Sequence, residues 1–169
     1  GRWKALHYAA KRFYHPLLLS IEDERPSMGI HVSNDRLTSW QGTLRWALET
    51  LDGEVIEAGQ ISVIAESLAS THVFTLDSSR HISDDNERET ILICELWDDG
   101  RLVALTVTPF VPNKHLSLVD PNLSVELHQN GNQLVLEIAA RSLARFVELS
   151  LDGVDLVFSD NYFDVPARR

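Results

Sequence analysis

Four turn-forming pairs, Asp52-Gly53, Asp99-Gly100, Asn130-Gly131 and Asp152-Gly153, divide the chain between short stretches where every second residue is apolar. Such pairs supply the positive φ that tight hairpins demand, so each predicts a reversal between antiparallel strands. Leu44, Trp46 and Leu48 alternate with Arg45, Ala47 and Glu49 ahead of Asp52-Gly53, and Val55 to Ile64 returns as the partner strand. Thr90 to Trp97 and Arg101 to Thr108 flank the second pair, with further strands at Leu17 to Ile21, Gly29 to Ser33 and Val73 to Leu76. Short strands joined by turns, with no helix between them, predict an antiparallel β-sandwich of immunoglobulin type.

Two segments fall outside that unit. Trp3, Leu6, Ala10 and Phe13 recur at spacings of three and four, with Lys4, Lys11 and Arg12 between them. This predicts one short amphipathic helix, ended by Pro16 because proline disfavours helical geometry in His15 before it. Such a helix is marginal alone and needs a packing partner. At the other end, Pro109, Pro112 and Asn113 read as a linker before a second strand series at Leu123 to His128, Gln133 to Ala140, Phe146 to Leu151 and Leu156 to Phe158. This series is about half the roughly 100 residues of a full sandwich. The expected division is 1–15 helix, 16–111 sandwich, and 112–169 a second, smaller and incomplete β-sandwich domain.

A hydrophobic content of 44% in 169 residues supplies a buried core. The net charge of −10 opposes the phosphate attraction behind nucleic-acid binding and adsorption to anionic membranes, so neither partner is expected. Apolar runs such as Leu17 to Leu19 and Leu102 to Leu105 are far short of the roughly 20 residues of a spanning helix. The basic N-terminal residues lead into no signal-peptide core. The compartment is left open. Cys94, the single cysteine, excludes an internal disulfide and reads as a packed, unreactive thiol.

Catalytic and metal patterns are absent from the spacing. The seven histidines make no HExxH or His-x-His arrangement, no metal or other cofactor is expected, and the acidic run Asp84 to Glu89 lacks the spacing of an EF-hand. No G-x-S-x-G elbow presents a nucleophile, and His72, Asp77 and Ser78 are neighbours in sequence only. Asn122-Leu123-Ser124 matches the N-glycosylation acceptor. Among the aromatics, Trp46 and Trp97 are expected in the core, while Trp40, beside Gln41 and Gly42 in an expected turn, is a candidate exposed sugar contact.

The opening Gly1-Arg2-Trp3-Lys4-Ala5-Leu6-His7-Tyr8-Ala9-Ala10-Lys11-Arg12-Phe13-Tyr14, followed by Pro16-Leu17-Leu18-Leu19-Ser20, resembles the junction between catalytic barrel and C-terminal sandwiches in β-mannosidases of glycoside hydrolase family 2. Leu37 to Trp46 resembles the same enzymes. So do Ser142 to Val147 and Ser159 to Asp164, which look like their final domain. The resemblance implies that residues 1–15 are a remnant of a (β/α)8 barrel, which would be the chain's partner. It also implies that the two glutamates of the retaining mechanism lie upstream of Gly1, that β-mannosides meet only the parent enzyme, and that no residue here is catalytic. Trp3 is a second candidate sugar contact, near the barrel mouth. The function expected is therefore a non-catalytic accessory segment of an exo-β-mannosidase-like enzyme. The alternatives are a carbohydrate-binding module using Trp40 or Tyr162, and an interaction module, homo-oligomeric or otherwise, that pairs through exposed strand edges.

Overall fold

A computed structural model describes residues 3–153 and 156–169. The helix α1 spans Ala5–Phe13. Seven strands follow: β1 (Leu17–Glu24), β2 (Ser27–Asn34), β3 (Trp40–Thr50), β4 (Val55–Ala65), β5 (Ala69–Asp77), β6 (Thr90–Asp98) and β7 (Arg101–Pro109). They form two antiparallel sheets, in the orders β1-β2-β5 and β4-β3-β6-β7. The expected sandwich is present, and its inner faces follow the period-two pattern. Leu19, Ile30 and Val32 from one sheet meet Leu44, Trp46, Leu48, Leu92 and Leu96 from the other, and the buried Phe110 belongs to the same cluster. The Trp46 ring stacks on Phe74 of the opposite sheet, with centroids 5.2 Å apart and planes 21° apart.

Glycines appear where backbone or ring approach leaves no room for a Cβ. Trp46 pairs in register with Gly59, and a Cβ there would lie 2.8 Å from the indole nitrogen. Gly53 and Gly100 adopt φ of +78° and +81° at their hairpin turns, the conformation that made both turns readable.

Beyond the sandwich lie two small sheets. The hairpin β8 (Ser124–Asn130) with β9 (Gln133–Ala139) turns through Gly131, and β10 (Ala144–Val147) pairs with β11 (Phe163–Val165). No strand forms over the expected Leu156 to Phe158. Instead the buried Asn161 side chain accepts from the Leu149 amide at 2.7 Å and donates to the Leu149 carbonyl at 2.9 Å. One amide side chain thus occupies backbone groups that a ladder would have used.

These C-terminal residues sit on the outer face of the four-stranded sheet. Leu116 and Leu143 pack with Leu51, Ile91 and Ile93, so the segment read as a linker contributes a buried leucine. The Leu143 amide donates to the Leu51 carbonyl at 2.8 Å. Arg169 reaches back to Glu49 at 2.7 Å and Glu95 at 2.9 Å. Burial disfavours its charge, but the hydrogen bonds and negative charges of the two glutamates outweigh that and raise its pKa.

Cys94 lies in β6 with no exposed surface, and burial, helped by Glu95, pushes its thiol up to about 12. Near pH 8 only about one such thiol in ten thousand is ionised. The native chain is expected to resist iodoacetamide for hours and to alkylate fully in denaturant, which mass spectrometry reads directly. Because the folded state holds this proton above the pH at which the unfolded chain releases it, the contribution is flat below about pH 9. Stability then falls by at most about 1.4 kcal/mol per unit as pH rises further toward the folded value.

Candidate functional site

The N-terminal helix presents the apolar stripe that its periodicity predicts as an exposed surface. Leu6 is 78% exposed, Phe13 64% and Trp3 42%, while Tyr8 is the helix's buried residue. The expected apolar stripe therefore looks outward. The opposite side is held by the C-terminal segment: Lys11 Nζ donates to the Ser159 carbonyl at 2.8 Å, and Arg12 binds the Asp160 carboxylate at 2.5 Å. Arg12 also donates to the Asn161 and Tyr162 carbonyls. Tyr8 and Tyr162 meet ring to ring at 6.1 Å. Basic residues in the last helical turn also suit the helix dipole, so one pair of cations serves both the helix end and the clasp.

Between helix and C-terminal segment lies a cleft of ≈ 260 Å³, lined by Trp3, Tyr8, Glu148, Leu151, Asn161 and Tyr162. Trp3 tilts against His7 and Tyr8 on its rim, with ring centroids 5.8 and 5.5 Å away. Tyr162 donates to Glu148 at 2.7 Å.

Trp40 is not the exposed turn residue expected. It opens β3, is 5% exposed, and donates its indole N–H to Asp98 at 3.1 Å. Its ring lies over Gly42, where a Cβ would come within 2.2 Å of two ring carbons. Gln41-Gly42 thus marks a close approach inside a strand, a use of glycine that could have been suspected from its place in an alternating run. Trp97 departs from expectation in the other direction. It pairs with Thr43 on the outer face, half-buried, where Arg45 lies 4.8 Å above its ring and Glu95 takes its N–H.

The remaining polar candidates serve local structure. His72 contacts Thr75 at 2.7 Å, whereas Ser78 donates to the Pro26 carbonyl and Asp77 caps the following turn through Ser79. The hydrogen bonds from the Ser79 hydroxyl and amide hold the Asp77 carboxyl below its ordinary value. The acidic loop is organised by Asn86, which accepts from the Ser83 amide and donates to the His81 carbonyl. His81 in turn contacts Glu57 at 2.9 Å. Asn122 lies exposed ahead of β8.

Comparison with known proteins adds an independent line. A family model described as the mannosidase Ig/CBM-like domain matches residues 27–115, and one described as an Ig-fold domain matches residues 118–169. β-Mannosidase A of Aspergillus fumigatus is 29% identical across 81% of this chain and 16% of its own length. β-Mannosidase of Mus musculus is 28% identical across 96% of this chain and 19% of its own length. Among solved structures, β-D-mannosidase from Dictyoglomus thermophilum superposes with a TM-score of 0.85 at 18% identity, covering 96% of this chain and 20% of that one. The exo-chitosanase of Amycolatopsis orientalis gives 0.70 at 16% identity, with coverages of 96% and 24%. The chain thus spans less than a fifth of the two curated relatives' length.

Proposed function

This chain belongs to the mannosidase Ig/CBM-like domain family, and from that premise we propose that it braces the catalytic barrel of a retaining exo-β-mannosidase-like hydrolase while contributing no catalytic group itself. The observation that carries this reading is the outward stripe of α1. A helix of nine residues cannot hold itself together in water. This one is fixed on its basic side by Arg12 and Lys11, and leaves Leu6 and Phe13 free to enter a neighbouring apolar surface. Burying two such side chains contributes roughly 3–6 kcal/mol at their contact, enough to orient a sandwich on a barrel.

Two measurements test it. The purified chain is expected to release no nitrophenol from an aryl β-mannoside above buffer, whereas a longer polypeptide including the barrel releases it. Turnover by the chain alone would place catalytic residues within it and end the proposal. The double variant Leu6→Asp, Phe13→Asp should leave the isolated chain's stability within about 0.5 kcal/mol, since both side chains are exposed there. The same change in the longer polypeptide is expected to lower its melting temperature by several degrees. An unchanged melting temperature would mean that the stripe meets no barrel.

A further inference from the structure

The β8–β9 hairpin carries a cluster that spacing along the sequence does not reveal. Glu126 and Glu137 are direct cross-strand partners, and His128 follows two residues after Glu126 on the same face. Two carboxylates placed opposite each other on adjacent strands repel, so the pair destabilises the hairpin unless a cation lies between them. His128 Nε2 lies beside both carboxylates, 3.6 Å from Glu126 Oε2 and 3.5 Å from Glu137 Oε2. One ligand atom from each of the three residues lies within 4.8 Å of the others.

Those separations bear on two readings of the cluster, an ion pair and a metal site. A direct hydrogen bond between imidazole and carboxylate brings nitrogen and oxygen to about 2.7–2.9 Å, as at His81 and Glu57 at 2.9 Å, while the His31–Glu22 pair stands at 3.3 Å. In a tetrahedral zinc site with bonds of about 2.0–2.1 Å, neighbouring ligand atoms lie about 3.4 Å apart. The two histidine–glutamate distances fall beside the second value, and the two carboxylates lie within 4.8 Å of each other, close enough for a small shift to bring both onto one ion. The geometry points to a divalent zinc-class cation held by Glu126, His128 and Glu137, with solvent supplying the remaining position. Imidazole and carboxylate are ligands such an ion accepts, and all three side chains are open to it from solvent. The hairpin's register holds the donors without any contribution from the sandwich, so this site stands apart from the bracing role of α1.

The test uses the whole 169-residue chain without a polyhistidine tag and zinc ion as the probe. The histidine ring resonances in ¹H–¹⁵N spectra identify which imidazole responds. We expect saturable shifts at His128 Nε2 in the micromolar zinc range. Loss of even an outer partner of a metal ligand weakens binding roughly 10–100-fold, so His128→Ala should weaken that phase by at least that much. Glu137→Gln, which keeps shape and removes charge, should also weaken it, with the fold unchanged by circular dichroism. Zinc binding of equal strength in both variants, or a His128 ring that stays unshifted while zinc is in large excess, would overturn the assignment and leave an ordinary surface ion pair.

Discussion

Replacing Trp46 with alanine is expected to lower the unfolding free energy by about 3–5 kcal/mol, the range for emptying a buried aromatic site. Trp46 is 8% exposed and joins the two sheets through its stack on Phe74. Its removal takes apolar area out of the core and leaves a void that Gly59, with no side chain, cannot fill. At this size each kcal/mol is worth roughly 2–4 °C, so the melting temperature should fall by roughly 6–20 °C. Urea unfolding followed by circular dichroism gives the free energy directly. Trp97→Ala is the matched control, because its ring lies outside the sandwich under Arg45. Equal losses for the two variants would contradict the faces assigned to them.

The smallest substitution carries the second large effect. Gly42→Ala should cost about 3 kcal/mol, the upper end of ordinary overpacking. The added methyl would lie 2.2 Å from Cζ2 and Cη2 of Trp40 and 2.4 Å from the Trp97 carbonyl oxygen. A flexible side chain could yield. The carbonyl belongs to the backbone of β6 and yields only if β3 and β6 separate locally, while the Trp40 ring must move off Gly42 and surrender its bond to Asp98. Displacement of that ring into water shifts tryptophan emission to the red. A variant that keeps both native emission and native stability would show that the ring does not rest on Gly42. Gly100→Ala makes a useful comparison, since nothing lies within 4 Å of its Cβ position and only the φ of +81° resists it.

The strands were legible because hairpin turns and half-buried faces both leave local marks. Gly53, Gly100 and Gly131 sit at positive φ between alternating runs, and each turn is where the sequence places it. The face of Trp97 was not legible. Residues 91–94 are buried on both sides of β6, so alternation there cannot say which side is the core, and the register with Thr43 decides it. Trp40 was misread because a glycine in a strand and a glycine in a turn look alike until the ring that needs the space is seen. The stripe of α1 was visible at once. What holds its other side was not, since the clasp to Ser159 and Asp160 depends on contacts 148 residues apart. The Glu126, His128 and Glu137 cluster needed the hairpin register to bring Glu137 opposite Glu126.

That clasp has a consequence for the order in which the molecule assembles. Closing a flexible loop of 148 residues costs about 4 kcal/mol or more in chain entropy, and a few exposed polar contacts on one helical turn return less than that. Helix and C-terminal segment can meet durably only after the intervening strands have condensed and brought them near. Their contact is therefore a product of the finished fold rather than its seed. It behaves as a latch that reports on everything enclosed between its halves: when the strands between them come apart, the latch opens with them.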